Sequence, residues 1–225
     1  MNRSIALAVV VFTAASLSLA ERAAAKVPPD EKVRIAAEVY EELLNVPERE
    51  VPRELVQEAK CVAIIPGVIK GAFGWGGRHG RGVLTCRTSA GSWSPPIFVT
   101  LSGASFGLQI GAQSTDIVLF FMSERSVRSL LKSKFTLGGD VSVAAGPLGR
   151  SAELGTDIRL RAEIYSYAKS RGLFAGMSVE GARLAPKQEL IDKYYGERIW
   201  PDEVLFGRGV SNVPVESRRL IEALK

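Results

Sequence analysis

The one histidine of this chain, His79, stands inside a glycine run, Gly71-Ala-Phe-Gly-Trp-Gly-Gly-Arg-His-Gly-Arg-Gly82. Imidazole is the common general base near neutral pH, so a serine or cysteine nucleophile would be expected to use it. Gly103-Ala-Ser105-Phe-Gly107 fits the Gly-x-Ser-x-Gly string of hydrolases. That string needs a strand-to-helix turn, and Ser105 lies between apolar strand-like stretches with no helical continuation. Cys61 or Cys86 could pair with His79 for thiolate chemistry, but not if the two are oxidised to each other. Zinc would need a Cys/His cluster at ligand spacing, which the sequence does not contain. A glycosidase would need two singled-out carboxylates. Asp116, Asp140, Glu153, Asp157 and Glu163 lie in strand-like segments with no privileged pair. They read as surface positions, with Asp116 and Asp140 as turn formers. No catalytic residue, metal ligand or cofactor is assigned, and an enzyme is not expected.

The glycine run has three readings. It could be a nest of backbone amides cradling phosphate, a set of tight β-turns, or a headgroup contact through Arg78, His79 and Arg81. It is no Walker loop, because no Gly-Lys-Ser/Thr ending follows. A dinucleotide fingerprint starting at Gly74 and Gly76 meets His79 where glycine is required, and Val83-Leu-Thr-Cys86 beyond it is strand-like, not helical.

Basic residues form the more telling set. Arg125, Arg128 and Lys132 share a helix face by their i, i+3, i+7 spacing, with Lys134 just beyond. Val127, Leu130 and Leu131 lie opposite. A basic amphipathic helix can rest on an anionic membrane, and the bland alternative is an ordinary solvated face. Lys70, Arg78 and Arg81 complete the candidate lipid contacts.

These residues must be positioned by the elements around them. Val33, Ala36, Ala37, Tyr40, Leu43 and Leu44 recur at helical spacing, with Asp30 as cap and Pro47 as stop. A short helix is expected from Pro52 to Ala59. Cys61 to Ile65 then reads as a buried strand closed by a turn at Pro66-Gly67. Strands follow near 70–76, 81–87, 97–102, 104–112 and 116–122. Ser123 caps a helix over 124–132. Strand patterns return at 135–146, 151–168 and 173–182. Pro186 opens a helix ending at Gly196, and Pro214 opens the last one. Glycine at this density within apolar alternation marks strands that bend or approach closely. Phe73, Trp75, Phe106, Phe120 and Phe121 are expected to fill the core.

Bulk properties set the frame. The 225 residues, 46% of them hydrophobic and 24% charged, suit one domain behind a targeting segment. Arg3, the apolar run Ile5 to Ala15, and cleavage sites ending at Ala20 or Ala25 read as a secretory signal peptide over residues 1–25. The run is short of the ~20 residues a membrane span needs. The net charge of +5 falls to +4 with either cut: cutting after Ala25 removes Arg3, Glu21 and Arg22, and cutting after Ala20 removes Arg3 alone. That mild basicity suits anionic phospholipid. It does not suit nucleic acid, since no dense Lys/Arg stripe interleaves with aromatics. In an oxidising compartment Cys61 and Cys86 either form a disulfide or remain two buried thiols.

From about Lys60 to Leu184 the chain resembles the SYLF family. The phrases that carry the likeness include Ala59-Lys-Cys-Val-Ala-Ile-Ile-Pro66, Gly76-Gly-Arg-His-Gly-Arg-Gly82 and Trp93-Ser-Pro-Pro-Ile-Phe-Val99. Further on stand Gly107-Leu-Gln-Ile-Gly-Ala-Gln-Ser-Thr-Asp116, Lys134-Phe-Thr-Leu-Gly-Gly-Asp140, Ala144-Ala-Gly-Pro-Leu-Gly-Arg150 and Tyr165-Ser-Tyr-Ala-Lys-Ser-Arg-Gly-Leu-Phe-Ala-Gly176. The resemblance implies phospholipid binding, phosphoinositides above all, and in some eukaryotic relatives actin binding. It implies no catalytic residue. In those relatives lipid contact is attributed to an amphipathic N-terminal part, whereas the corresponding helix here is acidic, with Glu38, Glu41 and Glu42.

The expectation is an α+β protein: a strongly curved, mainly antiparallel sheet or barrel-like body (60–185), preceded by a helical segment (26–59) and flanked by C-terminal helices (186–225). Its expected role is non-enzymatic lipid binding at an anionic membrane of the cell envelope, periplasmic or secreted. The alternative is a protein-interaction module, actin-binding-like or an envelope scaffold.

Overall fold

The computed structural model describes residues 27–45, 51–73, 75–105, 111–132, 135–147, 162–170, 173–207, 210 and 212–225. The signal-peptide reading, Phe106, Lys134, Glu153, Asp157 and most of the strand read at 151–168 lie outside these residues, as do the side chains of Phe73 and Trp75.

Helix α1 (Pro29–Leu44) and the short α2 (Arg53–Glu58) lead into the sheet. Asp30 is not the cap of α1. The helix starts two residues earlier, at Pro29 behind Pro28, with no side-chain cap, and Asp30 sits in the first turn, where its charge still favours the positive helix end. Then come β1 (Cys61–Phe73), β2 (Trp75–Cys86), β3 (Ile97–Ser105) and β4 (Gly111–Phe121). Helix α3 (Glu124–Lys132) precedes β5 (Phe135–Thr136), β6 (Val143–Ala145), β7 (Ile164–Ser170), β8 (Leu173–Gly176) and β9 (Arg183–Pro186). Helices α4 (Gln188–Tyr195), α5 (Pro201–Phe206) and α6 (Val215–Ala223) close the chain.

Among the described residues nine strands form one sheet in the order β5-β9-β3-β2-β1-β4-β7-β6, with β8 also on β7. All pairs are antiparallel except β6 with β7. The architecture is the expected one: α+β, a curled and mostly antiparallel sheet with helices at both ends. Two long central strands, β1 and β2, replace the three short ones expected at 61–65, 70–76 and 81–87. β1 does not stop at Pro66-Gly67. It passes through a bulge there, where the register slips between Ile64 and Ile69 against β2 and between Ile65 and Val68 against β4. Gly67 takes φ +59°, and its N–H donates to Asp116 Oδ1 at 2.8 Å. Proline lacks the N–H for a ladder bond, so a bulge is where a central strand can hold one. On the neighbouring strand, a Cβ at Gly82 would collide with the Ile64 carbonyl. Asp140 closes the other expected turn, accepting from the Thr136 N–H at 2.6 Å.

Helix α1 packs on β1 and β2 and also on α6 and α4, so the two ends of the chain share one layer. Its buried stripe of Val33, Ala36, Ala37, Tyr40 and Leu43 faces the sheet core of Val62, Ile64, Val83, Phe98 and Phe120. Phe120 meets Tyr167 edge-on at 5.7 Å and Tyr40 at 6.4 Å. Phe98 meets Tyr194 of α4 at 5.2 Å. Phe120 and Phe121 are fully buried, as expected. Ser123 Oγ accepts from the Ser126 N–H and caps α3. Gly196 ends α4 in the left-handed conformation. Cys61 and Cys86 lie directly opposite on β1 and β2 and are joined by a disulfide.

Candidate functional site

The β1–β2 ladder decides which polar groups meet. Lys70 pairs with Arg78, and Ile69 pairs with His79. Because side chains alternate along a strand, Lys70 and Arg78 share one face, while His79 and Arg81 share the other. Lys70 is exposed and Arg78 half-buried. The Arg78 Nε is buried without a hydrogen-bond partner among the described residues. The sheet thus parts Arg78 from Arg81, which the sequence reading had grouped. Arg125, Arg128 and Lys132 stand elsewhere, on α3, which packs against β9, β4 and α5. The six basic candidates therefore occupy three places and do not converge.

Two surface depressions frame these groups. The larger, about 620 Å³, opens between the first turn of α1 and the bulged stretch of β1 and β2. Lys32, His79 and Arg81 line it, with Val27, Ile35 and Ile69 as an apolar wall. Ile69 is 58% exposed there. Asp116 lines it too, bonded to the bulge amide of Gly67. Burial, and then the neighbouring Arg81 charge, hold the Lys32 ammonium below the ordinary lysine range. Sequence reasoning missed Lys32 because it looked like one more charge on an acidic helix. Its signal is weak: it lies on the helix flank beside the buried positions Val33 and Ala36.

The smaller depression, about 320 Å³, lies between α3 and α5, lined by Arg128, Leu131, Lys132, Trp200, Pro201 and Asp202. Trp200 is 52% exposed, and the Arg198 guanidinium lies 4.9 Å from its ring centre. Arg128 is already engaged: it pairs with Glu124 at 3.2 Å and lies 4.3 Å over Phe206. Helix α5 and its exposed tryptophan were missed because Pro201-Asp-Glu-Val-Leu-Phe206 is too short to display a helical period.

The catalytic readings find no support in the ladder. His79 pairs with Ser102, and Ser105 pairs with Gly76. The strand after the glycine run is β2 itself, so no helix N-terminus stands ready for a dinucleotide. Among the described residues no group of three His, Cys, Asp or Glu could hold a metal ion. The buried phenols do not line either depression; desolvation raises Tyr40 and Tyr194 to about 12.

A curled, mostly antiparallel sheet with helices at both ends defines an α+β domain. The chain belongs to the Ysc84 family: residues 102–225 match the family described as "Ysc84: Las17-binding protein actin regulator". It is 37% identical over 198 residues to the SH3 domain-containing YSC84-like protein 1 of Xenopus laevis, covering 85% of this chain and 58% of that protein. It is 41% identical over 161 residues to Protein YSC84 of Saccharomyces cerevisiae, covering 70% of this chain and 34% of that protein. The human SH3 domain-containing YSC84-like protein 1 is 38% identical over 164 residues, with 72% and 48% covered. The chain thus spans between a third and three-fifths of the length of these relatives.

Proposed function

We propose that this chain is a non-enzymatic protein-interaction module that acts after export, in the periplasm or outside the cell. The observation that carries the protein-partner reading is the family match, whose description names Las17 binding and actin regulation. A relative named LAS seventeen-binding protein 3, 39% identical over 161 residues, supports the same class of partner. Export rests on the sequence of residues 1–25. The groove between α3 and α5 is the candidate contact surface, because an exposed tryptophan beside proline and arginine has the composition of an interface anchor.

The test is reconstitution: a cross-linked partner from the envelope fraction is purified and titrated against residues 26–225 without lipid. Saturable binding weakened by Trp200→Ala supports the reading. Co-sedimentation with filamentous actin in the same assay asks whether the partner class extends to actin itself. No saturable protein binding in either assay overturns it.

A second reading is peripheral association with anionic phospholipid. It is favoured by Arg125 and Lys132, which stand exposed on α3 without an ion pair among the described residues, Lys132 lining the same groove as the exposed Trp200. Aromatic rings with basic neighbours suit a headgroup layer. Salt-sensitive binding to anionic vesicles, lost on reversing Arg125 and Lys132, supports it; salt-insensitive binding counts against it.

A further inference from the structure

We propose that the groove between α3 and α5 recognises an acidic linear segment of its protein partner: an apolar side chain of that segment seats on Trp200 and Leu131, and carboxylates flanking it are held by Lys132 and Arg198. This rests on the protein-partner reading of the groove and adds the chemistry of what the groove recognises.

The argument starts from charge. Lys132 lines the groove from α3, and the Arg198 guanidinium lies over the Trp200 ring on the opposite wall. Both are exposed, and neither makes an ion pair among the described residues. Arg128 shares a helix face with Lys132 but is already occupied, by Glu124 at 3.2 Å and by the Phe206 ring beneath it. The other carboxylates of the two helices are also placed elsewhere. Glu203 accepts from the Trp200 backbone N–H at 3.1 Å. Asp202 stands in the first turn of α5, where its charge favours the positive helix end. Two cations on facing walls are thus left for an incoming anion.

Between them lies an apolar seat. Trp200 is 52% exposed, and Leu131 and Pro201 extend the surface it offers. Tryptophan and arginine are enriched among the anchors of protein interfaces. A hollow of about 320 Å³ is at the small end of ligand sites, which suits side chains from a linear segment better than a broad folded surface. Local charge also favours a narrow segment over a bilayer. Asp202 lines the groove, and Glu124 and Glu203 stand exposed on the same two helices. A flat anionic surface would meet these carboxylates along with the cations. An extended peptide presents every second side chain on one face, so it can set its charges against Lys132 and Arg198 alone.

The test is calorimetric titration and amide chemical-shift mapping of residues 26–225 with a capped heptapeptide, one central leucine between two runs of glutamate. Control peptides replace the leucine by serine or the glutamates by lysine. The leucine–glutamate peptide is expected to bind saturably, to shift the Trp200 indole N–H and the amides of α3, and to weaken with salt. The serine control should bind several-fold more weakly, and the lysine control not at all. Trp200→Ala should weaken binding about tenfold, as for an interface anchor. Lys132→Gln and Arg198→Gln should each weaken it about threefold, because exposed ion pairs contribute little singly. The Lys132→Glu/Arg198→Glu double variant should lose the glutamate peptide and gain the lysine peptide, and that gain shows that the groove is still folded.

This pattern supports the proposal even where the envelope fraction yields no partner. A glutamate peptide that binds the double variant as it binds wild type overturns it, as does one that binds neither. A saturable envelope partner whose affinity the double reversal leaves unchanged also overturns it, while the protein-partner reading stands. Phosphatidylglycerol–phosphatidylcholine vesicles that bind through Lys132 and Arg198 where the peptide does not would overturn it in favour of a membrane.

Discussion

The indole N–H of Trp93 donates to the backbone carbonyl of Leu224 at 2.8 Å, joining positions 131 residues apart. Trp93 is buried, and Arg87 lies 4.5 Å over its ring. The bond pins the end of α6 to the strap between β2 and β3, while α6 packs against α1. The last helix is thus part of the core layer.

Trp93→Phe should therefore destabilise the whole domain and not merely fray its end. The buried Leu224 carbonyl would lose its partner, at a cost of about 2 kcal/mol before any loss of ring packing. A lower urea midpoint at unchanged slope is the expected result. An unchanged midpoint would mean that α6 opens independently of the sheet.

Gly82→Ala should cost more than an ordinary strand substitution. The bulge brings the Ile64 carbonyl to where the new methyl must sit, and overpacking of this kind costs about 1–3 kcal/mol or more. The same change should disturb the cleft, because Arg81 and the bulge move together. Thermal unfolding of the variant checks this, and a wild-type Tm would show that the bulge relaxes freely.

The Cys61–Cys86 disulfide should be a stabilising cross-link. With its ends 25 positions apart, loop-closure entropy predicts a loss of about 3 kcal/mol in the Cys61→Ala/Cys86→Ala variant. Intact mass without reductant reports the bond directly. Two free thiols on folded, exported protein would refute it.

Alkaline pH should unfold the protein through its phenols. Burial pushes Tyr40 and Tyr194 up to about 12 from an ordinary 10.0, and raises Tyr167 and Tyr195 further. A raised phenol pKa means the unfolded chain ionises first. The stability these groups contribute is complete below pH 10 and drains away as pH climbs toward 12. Tyrosinate absorbance should therefore rise together with loss of far-ultraviolet dichroism. Ionisation of all five tyrosines near 10 in folded protein would contradict it. Tyr40→Phe is the companion case: its hydroxyl is buried and without a hydrogen-bond partner among the described residues, so removal should cost nothing or stabilise by up to ~1 kcal/mol.

Helical stretches with a long apolar stripe were legible in the residues. Val33 to Leu43 and Val127 to Leu131 read correctly because one buried face repeats every three or four positions. The strands read as fragments. Pro66-Gly67 carries the local mark of a turn, and only hydrogen bonding from β2 and β4 on both sides keeps β1 running through it. β9 was hidden for a related reason. Arg183–Pro186 has no strand pattern of its own, and its pairing with β3 and β5 makes it a strand.

The candidate site divides the same way. By itself the sequence determined the fold class, the family likeness and the supply of basic side chains, because composition and short-range periodicity are properties of the chain; it left Cys61 and Cys86 open between a disulfide and two thiols, and the strand register joined them. Which cations meet was decided in three dimensions. Ladder parity sent Arg78 to one face and Arg81 to the other, and the docking of α1 across β1 and β2 brought Lys32 to Arg81 from a helix that reads as acidic. Lys32 and Arg81 are 49 positions apart, and no local rule relates them. Their meeting depends on strand register and helix packing, both set by how the whole apolar surface is buried at once.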